Sequence, residues 1–168
     1  MNSKKEEIRA VDRILNDYAS HHQNMANIRI QYLFIPLFVF SLMGLITAVP
    51  FPYLAFLGKY NMFINWFSFA LAIAIYYYLR LSPLLSYLML FTFGVLYFFI
   101  VQLEYVEQGG GIRLWQASSV ILVASLSFLV LGNQTEEHKL PIAQFWKKVV
   151  LGPIWLWRSI LIRFNFRY

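Results

Sequence analysis

The chain has 168 residues, of which 60% are hydrophobic, 19% aromatic and only 13% charged. Soluble domains carry about 25% charged residues, so this chain has too little polar surface to wrap a water-soluble core, and its composition assigns it to a bilayer. Its length allows one domain, and the absence of cysteine excludes disulfide scaffolds, redox motifs and thiolate metal sites.

Residues 1–29 form the only long polar stretch. They open with Lys4, Lys5, Glu6 and Glu7 rather than a basic start followed by an apolar region, so no cleavable signal peptide is expected. Ser3 and Glu6 have capping-box spacing. Ile8, Val11, Leu15, Tyr18 and His22 recur at three- and four-residue steps, which predicts an amphipathic N-terminal helix.

Four apolar runs follow, at residues 32–49, 62–79, 82–103 and 114–131. Each approaches the roughly 17 to 25 residues that a spanning helix needs, and none contains an ionised side chain. Pro50 and Pro52 end the first run, Arg80 and Pro83 divide the second from the third, and Gly109, Gly110 and Gly111 with Glu104 and Glu107 divide the third from the fourth. The short link between the second and third predicts an antiparallel helical hairpin.

A polar turn from Gly132 to Lys139 is closed by Pro141, and the tail beyond mixes Trp146, Trp155, Trp157, Phe164 and Phe166 with Lys147, Lys148, Arg158, Arg163 and Arg167. That mixture predicts an interfacial or re-entrant segment, because a fifth span would bury charges at about 2.5 to 3.5 kcal/mol each. The expected fold is therefore an all-α, multi-pass membrane bundle in one domain. It has a polar N-terminal helix (1–29), four spanning helices (30–131) and a polar turn with an aromatic and basic tail (132–168).

With four spans, 12 of the 14 Lys and Arg side chains fall on one side. By the positive-inside rule both termini are expected in the cytoplasm, of a bacterial inner membrane in preference to the endoplasmic reticulum. The net charge of +6 then faces anionic headgroups, so membrane lipids and not nucleic acid are the expected partners.

His21, His22 and His138 all lie on that side. Imidazoles near Glu136 and Glu137 are suitable ligands for iron or zinc, and two histidines with one carboxylate make a facial triad. The spacing itself contains no tight HxxxH pair, which favours solvated histidines and a loop residue instead. On one unbroken helix His22 and Gln31 would point to opposite sides. Asn24 and Asn27 are poor helix-interior residues, so a break there could bring the two together, with Asn27 either capping the first span or touching a ligand. The other polar features are less informative. Tyr76, Tyr77 and Tyr78 suit an aromatic belt, Glu104 and Glu107 are expected as exposed loop charges, and the glycine run lacks the Lys-Ser or Lys-Thr of a P-loop.

The stretch from Tyr18 through His22, Asn24 and Asn27 to Pro36 resembles the first motif of the small membrane 2-hydroxy fatty acid dioxygenases of phytosphingosine degradation. A second match runs from Ser127 and Phe128 through Gly132 and Asn133 to Glu136 and Pro141, and the later Val150 to Pro153 resembles the segment after it. The resemblance implies Fe(II), a fatty-acyl substrate and a reaction with oxygen that shortens a 2-hydroxy fatty acid by one carbon. It makes Tyr18, His21, His22, Asn27, Gln31, Gly132, Asn133, Glu136 and Pro141 motif positions, with His22, His138 and Glu136 as the candidate metal ligands.

The chain departs from the family at three positions. Gln31 and Asn133 stand where the family has histidines, and Met25 replaces a proline. Neutral amides hold iron(II) far less tightly than imidazole. Three readings stay open: an active relative with a rebuilt iron site, a relative without metal that keeps the fold and a lipid pocket, and a structural membrane protein. In the last two no cofactor is expected.

Overall fold

The computed structural model describes residues 10–20, 24–136 and 141–165, and every regular element among them is helical. α1 covers Ala10–Ser20, α2 Met25–Ala48, α3 Trp66–Leu81, α4 Pro83–Gln108, α5 Leu114–Gln134 and α6 Ile142–Arg163, with a 3-10 segment at Ala55–Phe63 before α3.

Within α1, Val11, Leu15 and Tyr18 are all buried, so the predicted stripe is the face that packs. α1 ends at Ser20 and α2 starts at Met25, with Asn24 as its cap: the Asn24 side-chain oxygen accepts from the Ala26 N–H at 2.8 Å. Asn27, for which the sequence leaves capping and a ligand contact both open, lies within the first turn of α2 and is buried.

α2 and α5 form the most closely packed pair and run antiparallel. Asn27 lies against Gly132, Phe34 stacks on Phe128 with ring centroids 4.2 Å apart, and Gly44 lies against Ser118 and Leu114. Ser41, Gly44, Ser118 and Ser125 are fully or nearly fully buried. Small residues of this kind let two membrane helices approach closely where no hydrophobic force separates helix from lipid.

α3 and α4 form the expected hairpin, turned at Ser82 alone with Pro83 as the first residue of α4. Proline suits that position because its missing N–H is one the helix start leaves unpaired in any case. Ser86 Oγ donates to the Ile75 carbonyl at 3.3 Å and Asn65 Nδ2 to Tyr97 Oη at 2.9 Å, while Phe67 stacks on Tyr97. Glu104 and Glu107 lie inside α4 rather than in a loop, and Glu107 Oε2 accepts the first N–H of α5, from Leu114, at 2.9 Å.

Among the described residues α2, α4 and α5 are long and apolar enough to cross a membrane. The second apolar run differs from expectation. Its helix starts at Trp66, has only 16 residues, and is bent by 82° from the 3-10 segment before it, so it counts as a span only if that bent pair is taken together.

The tail is one helix of 22 residues, α6, and a stretch of it is buried: Gly152, Pro153, Ile154, Trp155 and Leu156. The Trp155 ring lies 5.1 Å from Tyr18 of α1, Gly152 is closely packed against Ile35 of α2, and Trp157 Nε1 donates to Thr92 Oγ1 of α4 at 2.8 Å. Arg158 donates to Asn16 Oδ1 of α1. α6 is thus held between α1 and the α2/α4 pair.

Candidate functional site

The start of α2 and the end of α5 meet because the two helices are antiparallel, and their polar residues meet with them. Glu136, just beyond α5, is buried. Its Oε1 accepts from Asn27 Nδ2 at 2.6 Å and from the Asn24 N–H at 3.2 Å, and its Oε2 accepts from the same N–H at 3.1 Å. The adjoining Thr135 carbonyl accepts from Asn24 Nδ2 at 3.0 Å. A carboxylate is favoured here because the first turn of α2 presents unpaired N–H groups and the positive end of the helix dipole.

One turn further along α2, Gln31 is buried and its Oε1 accepts from Tyr18 Oη at 2.7 Å. Burial pushes the Tyr18 phenol well above its ordinary range, since an ionised phenolate would lose its hydration there. Tyr18, Asn27, Gln31 and Asn133 line one small cleft with Ile35, Leu129, Phe145 and Val149. Its free volume is about 10 Å³, near the minimum that admits one water molecule. Gly132 packs against Asn27, and a Cβ there would overlap Asn27 Oδ1.

Of the motif positions, Tyr18, Asn27, Gln31, Gly132, Asn133 and Glu136 are therefore brought together from two parts of the chain more than 100 residues apart. Pro141 is exposed and caps α6, its carbonyl accepting from the Phe145 N–H at 2.9 Å. His21, His22 and His138 lie outside the described residues.

Iron(II) needs several strong donors turned to one point. Among the described residues no three His, Cys, Asp or Glu side chains come together. Here the Glu136 oxygens already accept from two nitrogens, and Gln31 Oε1 is engaged by Tyr18. The described donors on their own suit a hydrogen-bonded polar cluster and do not make up an iron site.

Two larger clefts lie one after the other along one face of α6. One, of about 200 Å³, lies between α2, α4 and α6 and is lined by Tyr32, Ile35, Pro36, Val39, Met89 and Trp157, among others. The second, of about 180 Å³, includes Phe38, Met43, Phe67, Tyr78, Phe93 and Val150. Val39 and Pro153 line both, Ile35 joins the first to the polar cleft, and Val149 joins the second to it. Sequence reading did not find these clefts. Their walls are ordinary apolar positions inside helices, and Pro36 and Pro153 are the only local marks.

Compared with protein families, curated proteins and solved structures, the chain shows no significant match to any of them. Its apolar helices define it as an integral membrane protein.

Proposed function

We propose that this chain is a lipid-binding membrane protein, related in architecture to the 2-hydroxy fatty acid dioxygenases but built around a hydrogen-bonded polar cluster instead of a metal. One observation carries the reading: two apolar clefts follow one another along the same face of α6 and share Val39 and Pro153 as walls. Apolar clefts between membrane helices are filled by hydrocarbon, and a fatty-acyl chain has the shape for them. Arg29 is exposed one turn before Tyr32 on α2, where a positive charge suits the anionic head of such a lipid. The polar cluster has no room for that head, and it acts as the rigid joint that holds α1, α2, α5 and α6 around the clefts.

The test is photo-crosslinking in vesicles with a 2-hydroxy fatty acid that carries a diazirine on its chain. Labelling is expected at cleft residues such as Val39, Met89 and Leu156, and is expected to fall in Val39→Trp, which puts a larger side chain at the wall the two clefts share. Labelling spread evenly over the exposed faces, unchanged in Val39→Trp, would reject the reading.

A second reading is supported by the Asn24–Glu136 contact. These residues stand two positions from His22 and His138 in the sequence, so an iron site made of His22, His138 and Glu136 would form at this joint. Iron analysis of anaerobically reconstituted protein separates the two readings: one iron per chain supports the dioxygenase, and no retained iron supports the lipid-binding protein.

A further inference from the structure

At the end of the bundle opposite the polar cluster, the chain between α2 and α3 is built unlike an ordinary loop. α3 has 16 residues, about 24 Å at 1.5 Å per residue, and so is shorter than a hydrocarbon layer of about 30 Å. Its hairpin partner α4 has 26 residues and, at about 39 Å, can cross completely. Because the two share the one-residue turn at Ser82, the first residue of α3 falls several ångströms short of the far boundary. The segment before it must then sink to meet it.

Backbone in that position needs its polar groups paired internally. Asn61 does this for the 3-10 segment: its Oδ1 accepts from the Leu54 N–H at 2.8 Å, and its Nδ2 donates to the Leu54 carbonyl at 2.8 Å and the Gly58 carbonyl at 2.9 Å. Asn65 and Ser68 close a capping box at the start of α3, and Trp66 Nε1 donates to the Pro50 carbonyl at 3.1 Å. Gly58 takes the turn, at φ 49°, that other residues rarely adopt.

The outward side of the segment is aromatic. Tyr53, Phe56 and Tyr60 are exposed, Phe56 to 83%, and the Lys59 ammonium sits 5.4 Å from the Tyr60 ring centroid. The 82° bend turns Ala55–Asn61 nearly perpendicular to α3, so if α3 stands along the bilayer normal this segment lies flat in the membrane plane. Tyr and Lys at that level are the residues that anchor in headgroups.

We infer that residues 50–65 form a platform embedded in the phospholipid interface, with Phe56 and Tyr60 among the upper acyl chains and Lys59 directed to lipid phosphate, completing the short span of α3. The short α3 beside the longer α4 sets this aromatic face at the level of the lipid headgroups and upper acyl chains, so its occupant is taken as lipid, with a second copy of the chain as the outcome that would overturn it.

The absence of native cysteine permits a direct test by site-directed spin labelling of the full chain in phosphatidylcholine–phosphatidylglycerol vesicles. Labels are placed by Phe56→Cys and Tyr60→Cys, with Gln108→Cys as a control at the end of α4. Power saturation is expected to give collision with oxygen exceeding collision with a water-soluble nickel chelate at positions 56 and 60, and the reverse at 108. Adding Asn61→Ala to the 56 label is expected to shift it toward the chelate. Chelate-dominated collision at 56 and 60 would overturn the inference. So would low accessibility to both agents with spin–spin broadening, which would assign the face to a second copy.

Discussion

Tyr18 and Gln31, on separate helices, are joined by a 2.7 Å hydrogen bond in which the phenol donates to the amide oxygen, and both side chains are buried. The bond ties α1 to α2. It also occupies the acceptor atom of Gln31.

Tyr18→Phe removes the donor and leaves Gln31 Oε1 buried without it, which costs about 1 to 3 kcal/mol. A lower apparent melting temperature in detergent is the expected result. The deficit should also depend on pH. The folded phenol is pushed above its ordinary range, whereas the unfolded one ionises near pH 10. Stability of the natural chain is therefore unaffected by this group below about pH 10 and falls as pH rises beyond it. Tyr18→Phe lacks that loss, so the gap between the two proteins should narrow above pH 10. A gap that stays constant to pH 11 would show that Tyr18 is not buried as described.

Glu136 accepts from Asn24 and Asn27 at the start of α2. Glu136→Leu strands both donors and is expected to cost about 1.5 to 3 kcal/mol, the range for hydrogen bonds to a charged group. Gly132→Ala should act on the same joint from the other side, because the new Cβ overlaps Asn27 Oδ1 and must push the amide off the carboxylate. If the two changes act through one contact, the double variant is less destabilised than the sum of the singles. Simple additivity in denaturant titrations would argue that Gly132 and Glu136 stabilise the bundle independently.

Much of this architecture is legible in the sequence because a bilayer leaves few alternatives. Runs of apolar residues bounded by Pro, Gly and charge become helices, and the α3–α4 hairpin follows from a link too short for anything else. The stripe of Val11, Leu15 and Tyr18 is buried as its period predicts. The errors arise where pairing decides. Asn24 takes the cap in preference to Asn27 because Glu136 draws the Asn27 amide inward, a contact across 109 positions that no local pattern reveals. Glu107 is engaged because α5 needs an acceptor for its first N–H. The short α3 escapes a count of apolar residues, since 62–64 are apolar enough to belong to a span but Asn65 caps the helix after them. The Glu136 hydrogen bonds of the polar cluster join residues more than 100 positions apart and leave no local signal in the sequence. The clefts beside Pro153 carry no signal apart from the prolines.

The contact of α2 with α5 depends on Gly44, where a Cβ would overlap Ser118 Oγ. Gly44→Ala is expected to destabilise by about 1 to 3 kcal/mol, as overpacking does. Among the described residues Ser118 Oγ has no hydrogen-bond partner in its buried position, so Ser118→Ala alone should cost little. The double variant Gly44→Ala with Ser118→Ala removes the overlapping oxygen and should recover most of the loss. A double-mutant cycle on thermal unfolding checks this, and recovery is the outcome that assigns the cost to that one pair of atoms.

Gln31 and Asn133 line the same cleft, which yields a prediction about metal. As amides they offer weak neutral oxygen donors, and the natural chain is expected to retain no stoichiometric iron or zinc after purification. Replacing both, Gln31→His and Asn133→His, puts two imidazoles on one small cleft beside the Asn27–Glu136 pair. Zinc should then bind at one ion per chain, while either single variant binds far more weakly. Binding should weaken further as pH falls below about 6.5, because the ligand must be the neutral imidazole. Elemental analysis with a zinc titration distinguishes the cases. A double variant that folds, as judged by its helical circular dichroism, yet binds no more zinc than the natural chain would mean that the two positions do not converge closely enough to share an ion. The proposed relation of this cluster to the histidine positions of the dioxygenases would then lose its support.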